Sequence, residues 1–465
     1  MKNYDVIIVG AGPGGIFTAL ELVKLNSGLK MLLIDKGGDI DHRSCPAIIK
    51  NRPCAEFNCN LCGLLCGWGG AGAFSDGKLN LSTQIGGFLN QYFDEEKLSE
   101  LIKYVDDLYV SHGAPTEVYG TNEKRVQKFI DAAIKYDLKL VPSKIRHLGS
   151  DRSIPFLKGL YEALNEKIDI KLRTEVEQVI VRDNKAIGVK TEKGEEIFAE
   201  YIILAPGRVG ASWLEKEAKR LKLTTINNPV DIGVRVEVPA TVMKELTDAT
   251  YEAKLIYYSK KFDDQVRTFC MNPYGEVVKE FNHGIATVNG HSYAEKKLEN
   301  TNFAILVSTF FTEPFHEPIA YGEYIARLAN LISGGIIVQR LGDLKMGKRS
   351  TPDRIKRGLV NPSLKDATPG DLSFAIPYRC LSDILEMLEA LDNISPGVNS
   401  RHTLLYGLEV KFYSMRIKLT NSLETEVPNL FAVGDGAGVS RGLIQASASG
   451  VAVAREIKKR ADGRG

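Results

Sequence analysis

The sequence predicts an α/β fold: a parallel-sheet nucleotide domain broken into pieces along the chain, with a β-rich α+β lobe inserted between them. Three observations predict it. The first thirty-five residues run strand, glycine turn, helix, strand; a second apolar strand near the end of the chain stops at Gly434-Asp435; and residues from about 223 to 404 read as many strands without such a turn.

Tyr4 to Val9 (YDVIIV) is apolar and rich in β-branched residues, as suits a parallel strand covered on both faces. It stops at Gly10-Ala11-Gly12-Pro13-Gly14-Gly15, after which Ile16 to Leu25 shows helical spacing. A second buried strand, Lys30 to Ile34, closes on Asp35 and Lys36. Strand, glycine turn, helix, strand and acid form the dinucleotide fingerprint. Gly10 permits the tight turn, Gly12 lets the backbone approach a pyrophosphate, and Gly15 lets helix and strand pack closely. The helix that Pro13 and Gly14 open offers free N–H groups and a positive dipole end to phosphates. Asp35 is placed to accept from a ribose diol, with Lys36 beside it.

The other end of the chain decides which dinucleotide. Leu430 to Val433 enters Gly434-Asp435-Gly436-Ala437-Gly438, which resembles the second FAD motif of two-dinucleotide-fold flavoenzymes, where the aspartate holds the ribitol or a neighbouring phosphate. Arg441-Gly442-Leu443 then opens a helix to about Ile457, whose N-terminal dipole would stabilise negative charge on a reduced flavin. Between the two motifs, Ile168 to Leu172, Val176 to Arg182 and Ala186 to Thr191 read as strands, and Ile197 to Leu204 runs as one strand into Ala205-Pro206-Gly207-Arg208. In FAD folds of this order Val176 would contact the adenine through its backbone, and Ala205 and Gly207 would let the chain pass close to the cofactor. Together these features predict a Rossmann-type FAD-binding domain. There is no second GxGxxG followed by an acid, and Gly334-Gly335 precedes the run Ile336 to Gln339. A nicotinamide donor would therefore visit the flavin transiently.

Five of the seven cysteines lie between Cys45 and Cys66, and from Cys54 onward they are spaced C-x4-C-x2-C-x3-C. Three readings stay open: a [4Fe–4S] cluster on Cys54, Cys59, Cys62 and Cys66; a Cys59–Cys62 redox pair that exchanges electrons with the flavin; or small buried thiols or a structural zinc site. The spacing departs from the ferredoxin run, and the proline after its last cysteine is missing. The glycine-dense segment Gly69 to Lys78 must run close to something, and the flavin or its pyrophosphate is the expected neighbour. Gly70 and Lys78 are its cofactor candidates, and Ser75 also has reach.

The 465 residues are 44% hydrophobic and 25% charged, with a formal net charge of +2. Such a balance gives no basic face for nucleic acid or for an acidic membrane. Apolar runs are too short to cross a bilayer, the first residues read as a strand and not a signal peptide, and the odd cysteine count suits a reducing cytoplasm.

The strings GGAGAFSDGKL (Gly69 to Leu79), RTFCMNPYGEVV (Arg267 to Val278), TVNGHSY (Thr287 to Tyr293), QRLGDL (Gln339 to Leu344), TPGDLS (Thr368 to Ser373) and GDGAGVSRGLIQASASG (Gly434 to Gly450) resemble a family of bacterial and archaeal FAD-dependent dehydrogenases. The layout is also distantly similar to geranylgeranyl reductases and other glutathione-reductase-type flavoproteins. The resemblance implies FAD and an oxidoreductase class.

The expected organisation is FAD domain over 1–95, a helical arm over 96–145, the FAD hairpin and return strand over 146–222, a substrate-binding cap over 223–404, and the FAD domain again over 405–465. In the cap, Arg267, Cys270, Asn289, His291 and Arg349 are candidates to face the flavin, and His291 could shuttle protons near neutral pH; Cys270 and Cys380 read as buried thiols. The expected function is transfer of a hydride or two electrons between a small organic substrate and a donor such as NAD(P)H or ferredoxin. The alternative is an FAD-dependent RNA-modifying protein, against which the near-neutral charge argues.

Overall fold

The structure, a computed structural model, describes residues 3–50, 57, 59, 61–75, 77–226, 228–282, 284–293, 296–311, 315, 317–412 and 415–463. It divides into two compact units. One comprises 1–117, 146–228 and 414–465; the other 118–145 and 229–413.

The first unit is built on a five-stranded parallel sheet in the order Leu430–Ala432, Tyr201–Leu204, Val6–Val9, Met31–Ile34, Asp169–Lys171. Strand composition explains its place: VIIV, MLLI and YIIL are buried at every position, so no residue is left to face water. Helix Pro13–Lys24 packs against the long C-terminal helix Leu443–Asp462. Helix Glu95–Ser111 lies on that same C-terminal helix, where the Tyr109 hydroxyl meets Ser447 Oγ at 3.2 Å. The Tyr109 ring stacks between Phe17 and Phe156, with centroids 4.7 and 5.1 Å away. A three-stranded antiparallel sheet, Val176–Arg182, Lys185–Thr191 and Glu196–Phe198, belongs to the same unit.

Two expectations change here. The run Ile197 to Leu204 is not one strand but two. Ala199 N–H still donates to Ile187 of the hairpin, whereas Tyr201 N–H donates to Asp5 and the chain has passed into the parallel sheet. The arm expected over 96–145 is likewise divided. Glu95–Ser111 belongs to the first unit, while helix Glu123–Ile134 and strand Leu138–Val141 belong to the second.

The second unit is built on an eight-stranded sheet in the order Thr368–Pro369, Ile337–Arg340, Leu404–Lys411, Val230–Pro239, Asn300–Thr309, Gln265–Asn272, Lys254–Tyr258, Leu138–Val141. Its apolar face is covered by helices that include Ala240–Thr250, Pro318–Ser333 and Tyr378–Asp392. Leu404–Lys411, expected with the C-terminal nucleotide segment, sits here instead. Its residues are buried and pair on both edges, with Val230–Pro239 and Ile337–Arg340. The sheet also buries charge: Arg235 and Glu409 are each wholly enclosed, with Nη2 to Oε1 at 2.7 Å, and Lys411 Nζ lies 3.1 Å from the same carboxylate. Among the described residues no helix is long and apolar enough to cross a membrane.

Candidate cofactor site

At the carboxyl ends of the parallel strands the first unit opens into one cleft, the place where nucleotides bind in such sheets. It is lined by Gly10, Gly12, Pro13, Gly14, Asp35, Lys36, Gly70, Lys78, Val176, Ala205, Gly207, Gly434, Asp435, Gly442 and Leu443. Segments separated by more than four hundred residues in sequence thus meet around one space. Gly15 is not in the lining. It sits in the first helical turn, pressed against the Gly10 carbonyl, which is the packing role its position predicts.

The backbone is shaped to admit a ligand. Gly10 has φ +112°, and a Cβ there would fall on the Ala205 carbonyl, so only glycine can occupy the turn. A Cβ on Gly70 would stand 3.0 Å from the Gly12 Cα, so the glycine-dense segment lies directly against the phosphate turn. The helix starting at Pro13 has no acid in its first turn and no side-chain cap, leaving its N–H groups for an anion.

Asp35 is engaged on both oxygens. Ala11 N–H donates to Oδ2 and Gly37 N–H to Oδ1, each at 2.8 Å. A carboxylate has about four acceptor positions, so the same group retains capacity for a diol. Beside it Lys36 Nζ stands 3.6 Å from Glu175 Oε1. At the other motif Asp435 accepts from Ser440 Oγ at 2.7 Å, and Arg208 Nε lies 3.3 Å from its Oδ2.

Some contributors were not foreseen. Arg208, Thr174, Glu175, Pro206 and Trp213 also line the cleft. Arg208 stood in plain view directly after Gly207. Arg43 did not: its guanidinium donates to the carbonyls of Gly63 (2.9 Å), Trp68 (2.6 Å), Leu64 (2.7 Å) and Gly70 (2.8 Å). Burial draws its pKa down to about 10. This one side chain fixes the loop that carries Cys66 and delivers Gly70 to the phosphate turn.

Of the cysteines, Cys54 lies outside the described residues. Cys66 is buried in the cleft wall, and burial pushes its thiol up to about 11. Cys62 is one helical turn away, its carbonyl accepting from Cys66 N–H at 3.0 Å. Cys59 is exposed, and Cys59, Cys62 and Cys66 are all free thiols. Among the described residues no group of three or more His, Cys, Asp or Glu is arranged to hold a metal. Cys59 and Cys62 do not line the cleft.

The candidates of the second unit occupy its sheet and hairpin. His291 ends strand Ile285–His291, opposite Glu276, and is not among the residues lining the cleft. Arg267 pairs with buried Asp231, and Asn289 Oδ1 accepts from Arg235 at 3.1 Å. Arg349 is exposed, Cys270 half-buried, and Cys380 buried with its thiol pushed up to about 11 by desolvation.

Residues 229–412 match the family described as FAD-dependent protein, C-terminal domain-like. Over 98% of its length the chain is 29% identical to a protein of Clostridium beijerinckii described as uncharacterized, covering 81% of it. Solved structures with a similar layout include 3-ketosteroid-Δ4-(5α)-dehydrogenase from Rhodococcus jostii RHA1 (12% identity, 98% of each chain, TM-score 0.42). Another is L-proline dehydrogenase from P. horikoshii (14% identity, 99% of this chain and 94% of that one, TM-score 0.41). A third is a geranylgeranyl bacteriochlorophyll reductase-like protein from Thermoplasma acidophilum (14%, 100% and 80%, TM-score 0.40). These likenesses are too distant to transfer a substrate. The glycine turns, the acid at each motif and the uncapped helix ends suit the two halves of FAD, and redox chemistry is what that cofactor supplies. Residues 229–412 are thus similar to a domain of FAD-dependent proteins, and the first unit presents a cleft whose lining suits a dinucleotide.

Proposed function

We propose that the cleft holds one FAD, with the adenosine toward Asp35 and Val176 and the flavin toward Gly442 and Leu443. With it the protein transfers a hydride or two electrons between a small organic substrate and a donor such as NAD(P)H or ferredoxin. The observation that carries this reading is the single cleft joining Gly10–Gly14 to Gly434–Leu443. When bound, FAD supplies the exchange of two electrons with an organic partner.

Each role follows from the residue's chemistry. Asp35 accepts from the ribose diol while holding the turn closed. The N–H groups after Pro13 and the Gly12–Gly70 approach take the pyrophosphate. Asp435, steadied by Ser440 and Arg208, accepts from the ribitol. The helix beginning at Leu443, uncapped and without an acid in its first turn, directs its positive end at the part of the ring that becomes electron-rich on reduction. Lys78 stands in the same wall and favours the same charge.

The thiols are given no share in electron transfer to the flavin. Cys66 meets the cleft among Asp35, Lys36 and Leu65, the adenosine end in this reading. Anaerobic addition of NADH, NADPH or reduced ferredoxin to the purified holoprotein tests the proposal. One of the three is expected to bleach the flavin stoichiometrically, and failure of all three would remove the proposed donors. Iron and sulfide analysis of the same sample decides the cluster: fewer than one iron per chain rejects it.

A further inference from the structure

We propose that the outer face of helix Pro318–Ser333, in the second unit, seats against the same face of a second copy of the chain in a twofold dimer. The inner face of this helix is taken up by the core. Ile325, Ala326 and Ala329 are buried with the sheet, and a Cβ on Gly322 would stand 2.8 Å from Val230 and 3.1 Å from Val410. The outer face is apolar as well. Tyr324 is 74% exposed, Leu328 41%, Leu331 82% and Ile332 44%. Among the described residues no large apolar side chain is more exposed than Leu331.

A helix that meets water on its outer side is normally polar there, and one that is apolar all round is normally buried. The sixteen residues of Pro318–Ser333 carry two charges, Glu323 and Arg327. Helix Glu123–Ile134 of the same unit carries five in its twelve residues. Tyr324, Leu328 and Leu331 follow one another at steps of four and three, the spacing by which one helix packs along another. The stripe is a helix-packing seam turned outward.

Area, charge and rigidity point to a second copy as the occupant. Taking about 200 Å² for a fully exposed large side chain, the four apolar residues and Arg327, 53% exposed, present about 600 Å². Two copies would bury about 1,200 Å², the lower bound of a stable specific interface. Glu323 and Arg327 stand 3.9 Å apart on one flank, so the face brings no net charge to repel its own copy. The helix is also held still. Asn330 accepts from Ala286 N–H at 2.7 Å and donates to the Ala286 and Gly335 carbonyls at 2.8 and 2.9 Å. A face already fixed loses little freedom on docking. A self-matching face closes as a twofold pair, the commonest arrangement of soluble oligomers. A membrane-surface helix would instead line its polar flank with lysines and arginines, and this one has Arg327 alone.

Sedimentation equilibrium of the purified full-length protein over about 1 to 100 μM tests this. A dimer with a dissociation constant in the micromolar range or below is expected. Leu328→Glu and Leu331→Glu are each expected to raise that constant about thirtyfold or more, the scale of a lost hot spot. Leu331→Ala, the milder change, is expected to raise it about fivefold. Ile134→Glu is the control: Ile134 is exposed and ends the helix packed on Leu138–Val141, at the far edge of the same sheet. It is expected to leave the dimer intact. An unchanged circular dichroism spectrum and urea midpoint show that each variant has folded. A parent that stays monomeric at about 100 μM, or a dimer that survives both Glu variants, overturns the proposal. So does equal weakening by Ile134→Glu. A monomer that sediments with phosphatidylcholine vesicles, and fails to do so as Leu331→Glu, gives the face to a membrane and overturns the dimer.

Discussion

Asp35 ties the glycine turn to the end of the second strand: its two carboxylate oxygens accept from the backbone of Ala11 and of Gly37 at 2.8 Å each. The residue that would hold the ribose therefore also builds the turn that would hold the pyrophosphate. Asp35→Ala is expected to weaken FAD at least tenfold and to cost the empty protein about 1–3 kcal/mol, the usual price of stranding buried donors. Asp35→Asn retains one acceptor and is expected to lie between. Flavin fluorescence on dilution measures the first effect and chemical denaturation the second.

Gly10 gives the sharpest steric prediction. Gly10→Ala puts a methyl group on the Ala205 carbonyl at φ +112°, and the protein is expected to be insoluble or free of flavin. Gly28→Ala is the control. Gly28 has φ +68° but open space around it, so its cost should be only the backbone penalty of about 1–2 kcal/mol, with flavin retained.

Those glycines mark how much was legible beforehand. The FAD motifs could be read because they are local: a strand, a turn and a helix start specify them within a few residues, and Gly10 to Asp35 and Gly434 to Leu443 line one cleft. Arg43 could not be read, since its four carbonyl partners lie twenty or more residues onward and nothing in its neighbours signals them. Leu404–Lys411 was misplaced because a buried strand looks alike in either sheet, and only its pairing partners decide. Ile197 to Leu204 misled for a related reason: an unbroken β-rich run conceals the change of sheet at Ala199-Glu200.

The buried pair of the second unit sets an acid limit. Burial alone would raise the Glu409 pKa, but Arg235 and Lys411 outweigh it and hold the carboxyl below its ordinary value. A depressed folded pKa contributes stability above the unfolded value, and that contribution is lost as pH falls through the folded one. Unfolding of the second unit should therefore ease below about pH 4.5, the usual glutamate range. Glu409→Gln strands a buried Arg235 and is expected to cost about 3–5 kcal/mol at pH 7, read by urea denaturation.

Asp383 behaves oppositely. It is wholly buried on helix Tyr378–Asp392, and desolvation, with the nearby Asp264 carboxylate adding to it, raises its pKa to about 6. Its contribution is full below the unfolded value of 3.8 and is lost as pH rises through the folded value of about 6. Asp383→Asn removes the cost of charging that site. The variant should melt higher than the parent at pH 8, by about 2–4 °C per kcal/mol gained, and show no such advantage at pH 4.

The thiols can be ranked chemically. Cys66 is buried with its pKa pushed up to about 11, whereas Cys59 is exposed. Thiolate is the reacting form, so iodoacetamide at pH 7.5 should label Cys59 well before Cys66, as peptide mass mapping would show. Equal labelling would contradict the buried wall of the cleft.

The central claim is one FAD in the cleft of the first unit, and the absorption spectrum of the purified protein tests it most directly. The account predicts a flavin band at about 450 nm, one FAD released per chain on denaturation, and loss of that band in Gly10→Ala. A colourless protein that takes up no FAD on reconstitution would contradict it.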